Sequence, residues 1–474
     1  MKDIRMSKIL ATAGPASSSS EVLQGLLDAG VDAFRLNFSH GTAKEHIEIL
    51  GRIRTLSKAM GRNVAILQDL AGPKIRVGEM LKGGAALLPG SEVTIVTRPL
   101  VGTSTLFSTS YRNLPRDVQK GHAILLDDGL LALEVTQVTE NAVQCRVVKG
   151  GVLRSRKGMN LPGTRIQAPA LTRTDLKHLE VGLSAGVDYV ALSFVRSADD
   201  LLKAKRAISR HGSRAWVIAK IERPEAVERM DEIIDASDGI MVARGDLGVE
   251  MAVERVPLLQ KELIRRANQA DKLVITATQM LESMVLNPTP TRAEVSDIAN
   301  AIMDGTDVVM LSAETSVGKH PVRTVEFMDR IIRETESFLG RNGSFPVWDR
   351  INPGNPVLDS LGHATRRICT DLRAAVICNQ SKTGRTALFL SKSRPFIPIV
   401  TFSEHEETVR RLALFWGTIP VFRKRVSGRD KLMRLAVEFA TQEDLAGKGD
   451  TLVIVTGQPE KPNFVGAIDV LQLN

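Results

Sequence analysis

Cysteine is nearly absent: 474 residues contain Cys145, Cys369 and Cys378 and nothing else of that type. No CxxC pair occurs, which excludes a disulfide framework and a cysteine metal site and fits a reduced, cytoplasmic setting. Aromatic residues are 4% of the chain, and no helix-turn-helix, zinc-finger or aromatic-rich sheet pattern is present, so nucleic acid is not an expected partner. No apolar run approaches membrane-spanning length, and Met1-Lys2-Asp3-Ile4-Arg5 offers no apolar leader. No GxxxxGK phosphate loop occurs either. Negative charge is the minority sign, with 54 Asp plus Glu against 63 Lys plus Arg and a net charge of +9. That excess is either a generic basic surface or an attractor of small anions.

What the chain does have is a phrase it repeats. Ala29-Gly30-Val31-Asp32 leads to Arg35-Leu36-Asn37, and Ala185-Gly186-Val187-Asp188 leads to Leu192-Ser193. Ser237-Asp238-Gly239 leads to Arg244-Gly245-Asp246, and Gly305-Thr306-Asp307 leads to Ser312-Ala313-Glu314. Small residues and an acid before an apolar run read as a tight turn into a strand buried on both faces. Strands that all finish in polar residues predict a ring of strand ends around one site, as in a (β/α)8 TIM barrel. Eight candidates fit: 8–12, 33–37, 64–69, 188–193, 216–221, 239–243, 273–277 and 308–311.

One interruption, from Gly72 to Pro169, alternates short β-prone stretches with turns. It is expected to be a small β domain inserted at the catalytic rim, where it can act as a lid. The expected divisions are a barrel over 1–71 and 170–345, a lid over 72–169 and a C-terminal α/β domain over 355–474. In that last domain 374–379, 396–401, 418–422 and 451–456 read as strands, and 466–473 as a final one.

Several strand ends carry candidate chemistry. Glu222 and Asp246 follow neighbouring strands, so they could share a divalent cation, or pair with Arg223 and Arg244 instead. Lys220 shares a strand face with Glu222, where an ammonium could stabilise a moving phosphoryl group or an enolate. Arg35, Asn37 and Ser39 share an alternating face, and Asp69 and Arg76 flank the third strand's exit. Gly245 to Gly248 could open backbone N–H groups to an anion or start a helix. Thr276 with Thr278, and Ser312 with Glu314, are same-face pairs that could serve the site or support it. Ser381-Lys382-Thr383-Gly384-Arg385-Thr386 could cradle a phosphate or simply cap a helix. A metal-assisted aldolase or other enolate-forming barrel, and a catalytically silent metabolite sensor, are the rival readings.

At these residues the chain resembles the pyruvate kinase family, along essentially its whole length. The motifs are Arg35 to Gly41, Gly72 to Arg76, Met241 to Gly248, Ala277 to Met284 and Pro290 to Glu294. The resemblance implies an inserted β-barrel lid, a homotetramer with an intersubunit segment over Asn287 to Arg292, and phosphoryl transfer from phosphoenolpyruvate to ADP. It further implies Mg2+ or Mn2+ on Glu222 and Asp246, Lys220 and Arg76 acting on the phosphoryl group, and Arg35, Gly245, Asp246 and Thr278 binding substrate. Thr278, through a water, is the implied route for enolate protonation. Asn37, Ser39, Asp69 and Leu70 match a monovalent-cation site, but Lys74 replaces the Glu of K+-requiring members, so K+ is not expected to be required. Ser381 to Thr386 resembles an effector-phosphate loop. Gln458-Pro459-Glu460-Lys461-Pro462 departs from the glycine-rich segment of bisphosphate-responsive members, which implies a sugar monophosphate or AMP as activator.

Overall fold

The computed structural model describes residues 4–164, 166–343, 345–346, 348, 356–426, 428–456 and 466–474. Eight parallel strands close into a barrel: β1 (Lys8–Ala13), β2 (Ala33–Asn37), β3 (Ala65–Leu70), β4 (Tyr189–Leu192), β5 (Trp216–Ile221), β6 (Gly239–Ala243), β7 (Leu273–Ala277) and β8 (Val308–Leu311). Each strand is buried along nearly its whole length, with Arg35, Asn37 and Trp216 the partly open exceptions. That two-sided burial is why the sequence shows apolar runs in place of clean alternation.

The repeated acid has a shared structural duty, at the base of the barrel. Asp32 accepts the Ile9 N–H at 2.8 Å and Asp188 the Ile66 N–H at 2.9 Å. Asp238 accepts the Val217 N–H and Asp307 the Val274 N–H, both at 2.8 Å. Thus an Asp just before β2, β4, β6 and β8 caps β1, β3, β5 and β7, satisfying a donor at the start of the neighbouring strand. Positive φ at Gly30, Gly186 and Gly305 makes the tight turns ahead of three of these acids.

Chain between β3 and β4 forms the insertion. The expected small β-barrel is built as a six-stranded sheet and a two-stranded ribbon around its own core, including Phe107, Leu133 and Leu153, without a continuous hydrogen-bonded cylinder. Gly72 opens it at φ 65°, and a Cβ there would come 2.7 Å from the Phe194 ring, so the entry admits no larger residue without movement.

The C-terminal domain is a five-stranded sheet in the order β11 (Thr418–Phe422), β10 (Ile399–Ser403), β9 (Val376–Gln380), β12 (Thr451–Thr456), β13 (Ala467–Gln472), antiparallel only at β13. β10 lies later than the expected 396–401, because Arg394 and Phe396 take φ 48° and 51° around Pro395 and postpone the strand. Leu412, Leu414 and Phe415 pack with Leu10, Tyr189 and Ile218 in one cluster, so this domain plugs the barrel's base. Among the described residues no helix is long and apolar enough to cross a membrane.

Candidate active site

The opposite, C-terminal end of the barrel holds a cleft of about 110 Å3 between strand ends and lid. Arg35, Asn37, Ser39, Lys220, Glu222 and Asp246 line it from the barrel side, and Lys74, Asp128, Asn160 and Ile166 from the lid. Neighbouring strands β5 and β6 carry Lys220, Glu222 and Asp246 to the same rim, as strand order requires.

Lys220 is the hub. Its Nζ lies 2.6 Å from Glu222 Oε1, 3.4 Å from Asp69 Oδ1 and 2.8 Å from Ser193 Oγ. Burial alone would lower its pKa, but Asp69, Glu222 and Asp246 outweigh that and hold the ammonium above its ordinary value. Glu222 is pushed upward, chiefly by burial and also by Asp246, against the pull of Lys220. Its other oxygen accepts the Phe194 N–H at 2.9 Å. The ion-pair alternative for the two acids is not what forms: Arg223 lies against Glu225 and Glu250, and Arg244 against Asp297. Glu222 and Asp246 suit a hard divalent cation: two carboxylates from neighbouring strand ends face one cleft, and neither is taken up by Arg223 or Arg244. No cluster of three or more His, Cys, Asp or Glu that could hold a metal occurs among the described residues.

Arg35 donates through Nε to Asp69 Oδ2 at 2.7 Å and through Nη1 to Thr12 Oγ1 at 3.2 Å. Burial would raise the Asp69 carboxyl, but Lys220 and Arg35 dominate and hold it below its usual range. Asn37 Oδ1 accepts the Ser39 N–H at 3.2 Å, folding the loop that presents both side chains. Leu70 contributes its carbonyl to Ser193 Oγ at 2.8 Å.

Thr278 sits just past β7 at φ 68°, followed by Gln279 at 55°, a costly conformation for a β-branched residue. Its Oγ1 accepts the Gly245 N–H at 2.8 Å and donates to the Ala277 carbonyl at 2.6 Å. Arg244 holds the loop in place, donating to the Thr278 carbonyl at 2.7 Å while its Nη1 lies 2.6 Å from Asp297. Gly245 and Asp246 lie in a helical turn over 244–250, not an open nest.

Two expected placements differ, and a third pair takes the supporting role that the sequence left open. Thr276 does not join Thr278: it is buried and donates to Thr306 Oγ1 at 3.0 Å, because the left-handed turn at Thr278 breaks the alternation. Arg76 does not line the cleft, and its Nη1 donates to the Arg156 carbonyl in the lid at 2.9 Å. Ser312 and Glu314 support the rim from behind, with Glu314 accepting the Leu281 and Ser312 N–H groups at 3.1 and 2.7 Å.

Three residues of the site received no role from the sequence. Ser193 bridges Lys220 and Leu70. Asp128, left-handed at φ 53°, reaches the cleft from the lid. Arg223, 2% exposed, donates to the Thr164 carbonyl at 3.0 Å, tying the lid's return segment to the residue after Glu222. The first was visible as the polar end of a repeated phrase; the others carried no signal beyond their charge.

In the C-terminal domain Gly384 N–H donates to Ser381 Oγ at 3.0 Å, and a helix begins at Arg385 with Lys382, Thr383 and Arg385 exposed. Residues 457–465, which include Gln458 to Pro462, lie outside the described residues.

Two family descriptions match this chain: "Pyruvate kinase, barrel domain" over residues 4–325 and "Pyruvate kinase, alpha/beta domain" over 359–471. A pyruvate kinase from Sporosarcina psychrophila is 42% identical over 96% of this chain and 78% of its own length. One from Thermotoga maritima is 40% identical over 99% of this chain and 100% of its own. A solved structure of a pyruvate kinase from Cryptosporidium parvum superposes with a TM-score of 0.90 at 34% identity, covering 99% of this chain and 96% of that one.

Proposed function

The chain belongs to the pyruvate kinase family and transfers the phosphoryl group of phosphoenolpyruvate to ADP, giving pyruvate and ATP; from that premise we propose which residues perform the transfer and what tunes them. The observation that carries the assignment is Lys220, buried and held between Asp69, Glu222 and Ser193 at the rim.

Glu222 and Asp246 hold the divalent cation, Mg2+ or Mn2+, which when bound offsets the repulsion between donor and acceptor phosphates. Lys220 binds the moving phosphoryl group and then the enolate oxygen, its proton kept in place by three nearby carboxylates. Arg35 positions the donor phosphate, and Arg76 joins it by releasing the Arg156 carbonyl when substrate enters. Gly245, Asp246 and Thr278 seat the substrate carboxylate. The Thr278 hydroxyl already donates to Ala277, so it is not itself the acid; it orients a water relay that carries the proton from solvent to the enolate.

Lys74, exposed on the cleft wall beside Asn37 and Ser39, supplies the positive charge that a monovalent cation would bring to the Asn37, Ser39, Asp69 and Leu70 positions. K+ is accordingly not required. Residues 381–386 receive an activator phosphate, from a sugar monophosphate or AMP, and the working form is a homotetramer. Mn2+ titration tests the metal assignment. Glu222→Gln and Asp246→Asn should each weaken Mn2+ binding by at least about tenfold, and unchanged binding in both would sink it.

A further inference from the structure

A second cleft, of about 350 Å3, lies at the base of the barrel, far along the strands from the catalytic rim. Residues 183–188 and 211–215 of the barrel form one wall, and the C-terminal domain's helix Glu406–Leu412 forms the other. Its cations are Arg214, Arg410 and Arg411, and its acids are Asp188 and Glu407.

The acids do not neutralise the walls. Asp188 is spent: Oδ2 accepts from Ile66 N–H and Arg54, at 2.9 and 2.6 Å, and Oδ1 accepts from Arg410 Nε at 2.8 Å. Glu407 stands partly exposed, 3.6 Å from Arg214, in a loose pair that solvent screens. Arg411 donates to the Arg214 carbonyl and to Thr408 Oγ1, yet its buried Nε–H has no acceptor, so this interdomain contact is not saturated. Counting Arg54 behind the wall, four guanidiniums face two carboxylates.

We propose that this cleft binds a phosphate monoester of sugar or nucleoside size, gripping both domains at once. Planar guanidiniums favour the phosphate, and the Ser184 hydroxyl, which shares a hydrogen bond with His211 Nε2 at 3.2 Å, and the Ser213 hydroxyl suit the polar remainder. The volume matches a ligand of that size better than a bare ion. Helix Glu406–Leu412 also reaches the Ser381 to Thr386 loop, where Thr408 Oγ1 donates to the Lys382 carbonyl at 2.9 Å. An occupant of the cleft therefore presses on the same helix as an occupant of that loop, and the site stands whether or not the loop binds effector.

The test uses the full-length enzyme and calorimetric titration with AMP, glucose 6-phosphate and inorganic phosphate. Arg214→Ala and Ser213→Glu alter exposed or half-exposed wall positions, and each is combined with Arg385→Ala, which disables the loop. At least one monoester should bind Arg385→Ala, more tightly than inorganic phosphate does. Adding Arg214→Ala or Ser213→Glu should weaken that binding by at least about tenfold. Equal binding with and without the wall substitutions overturns the proposal, as does absence of monoester binding to Arg385→Ala or equal affinity for inorganic phosphate. If Arg385→Ala binds like the wild type while the wall variants do not, the cleft stands and the loop assignment fails.

Discussion

Ser193 Oγ accepts a hydrogen bond from Lys220 Nζ at 2.8 Å and donates one to the Leu70 carbonyl at 2.8 Å. The ammonium is thus aimed by a neutral group as well as by carboxylates, and Ser193 acts as a positioning residue. Ser193→Ala should lower kcat by about three- to tenfold, the worth of one such bond. The KM for phosphoenolpyruvate should change less, and rescue is expected in Ser193→Thr if the hydroxyl keeps its place. A steady-state comparison of the variants checks this, with an equal rise in KM pointing to a substrate contact instead.

Arg244 clamps the strained turn at Thr278 against Asp297. Asp297→Asn weakens the clamp without touching substrate residues, so kcat should fall by about tenfold, with secondary structure unchanged by circular dichroism. A variant with wild-type turnover would show that the turn holds itself.

Lys74 lines the same cleft as Asn37 and Ser39. In tetramethylammonium buffer with Mg2+, the wild type should keep most of its K+-supported rate. Lys74→Glu should lose at least about tenfold there and recover on adding K+. Collapse of the wild type to a few per cent without K+ would reject the substitution of one cation by the other.

The barrel was legible because each buried strand leaves an apolar run, several of them behind a glycine turn, and all eight runs appear where expected. The meaning of the repeated acid was not. Asp32, Asp188, Asp238 and Asp307 cap neighbouring strands at the base, a pairing between residues far apart in the chain that no local pattern reveals. The polar ends of the same strands do converge, as Arg35, Asn37, Ser193 and Asp246 show on one cleft. Thr276 was misread because alternation holds only while the backbone stays extended, and Thr278 leaves the extended region. Arg223 and Asp128 could not be singled out, since contact between lid and barrel depends on how two separately folded units meet.

The most direct test is Lys220→Met, which removes the charge and keeps most of the bulk. Turnover of phosphoenolpyruvate and ADP with Mg2+ should fall by at least about a hundredfold to a thousandfold. Binding of phosphoenolpyruvate and Mn2+, followed by fluorescence and calorimetric titration, should remain within several-fold of the wild type. Near-wild-type turnover in this variant would contradict the account.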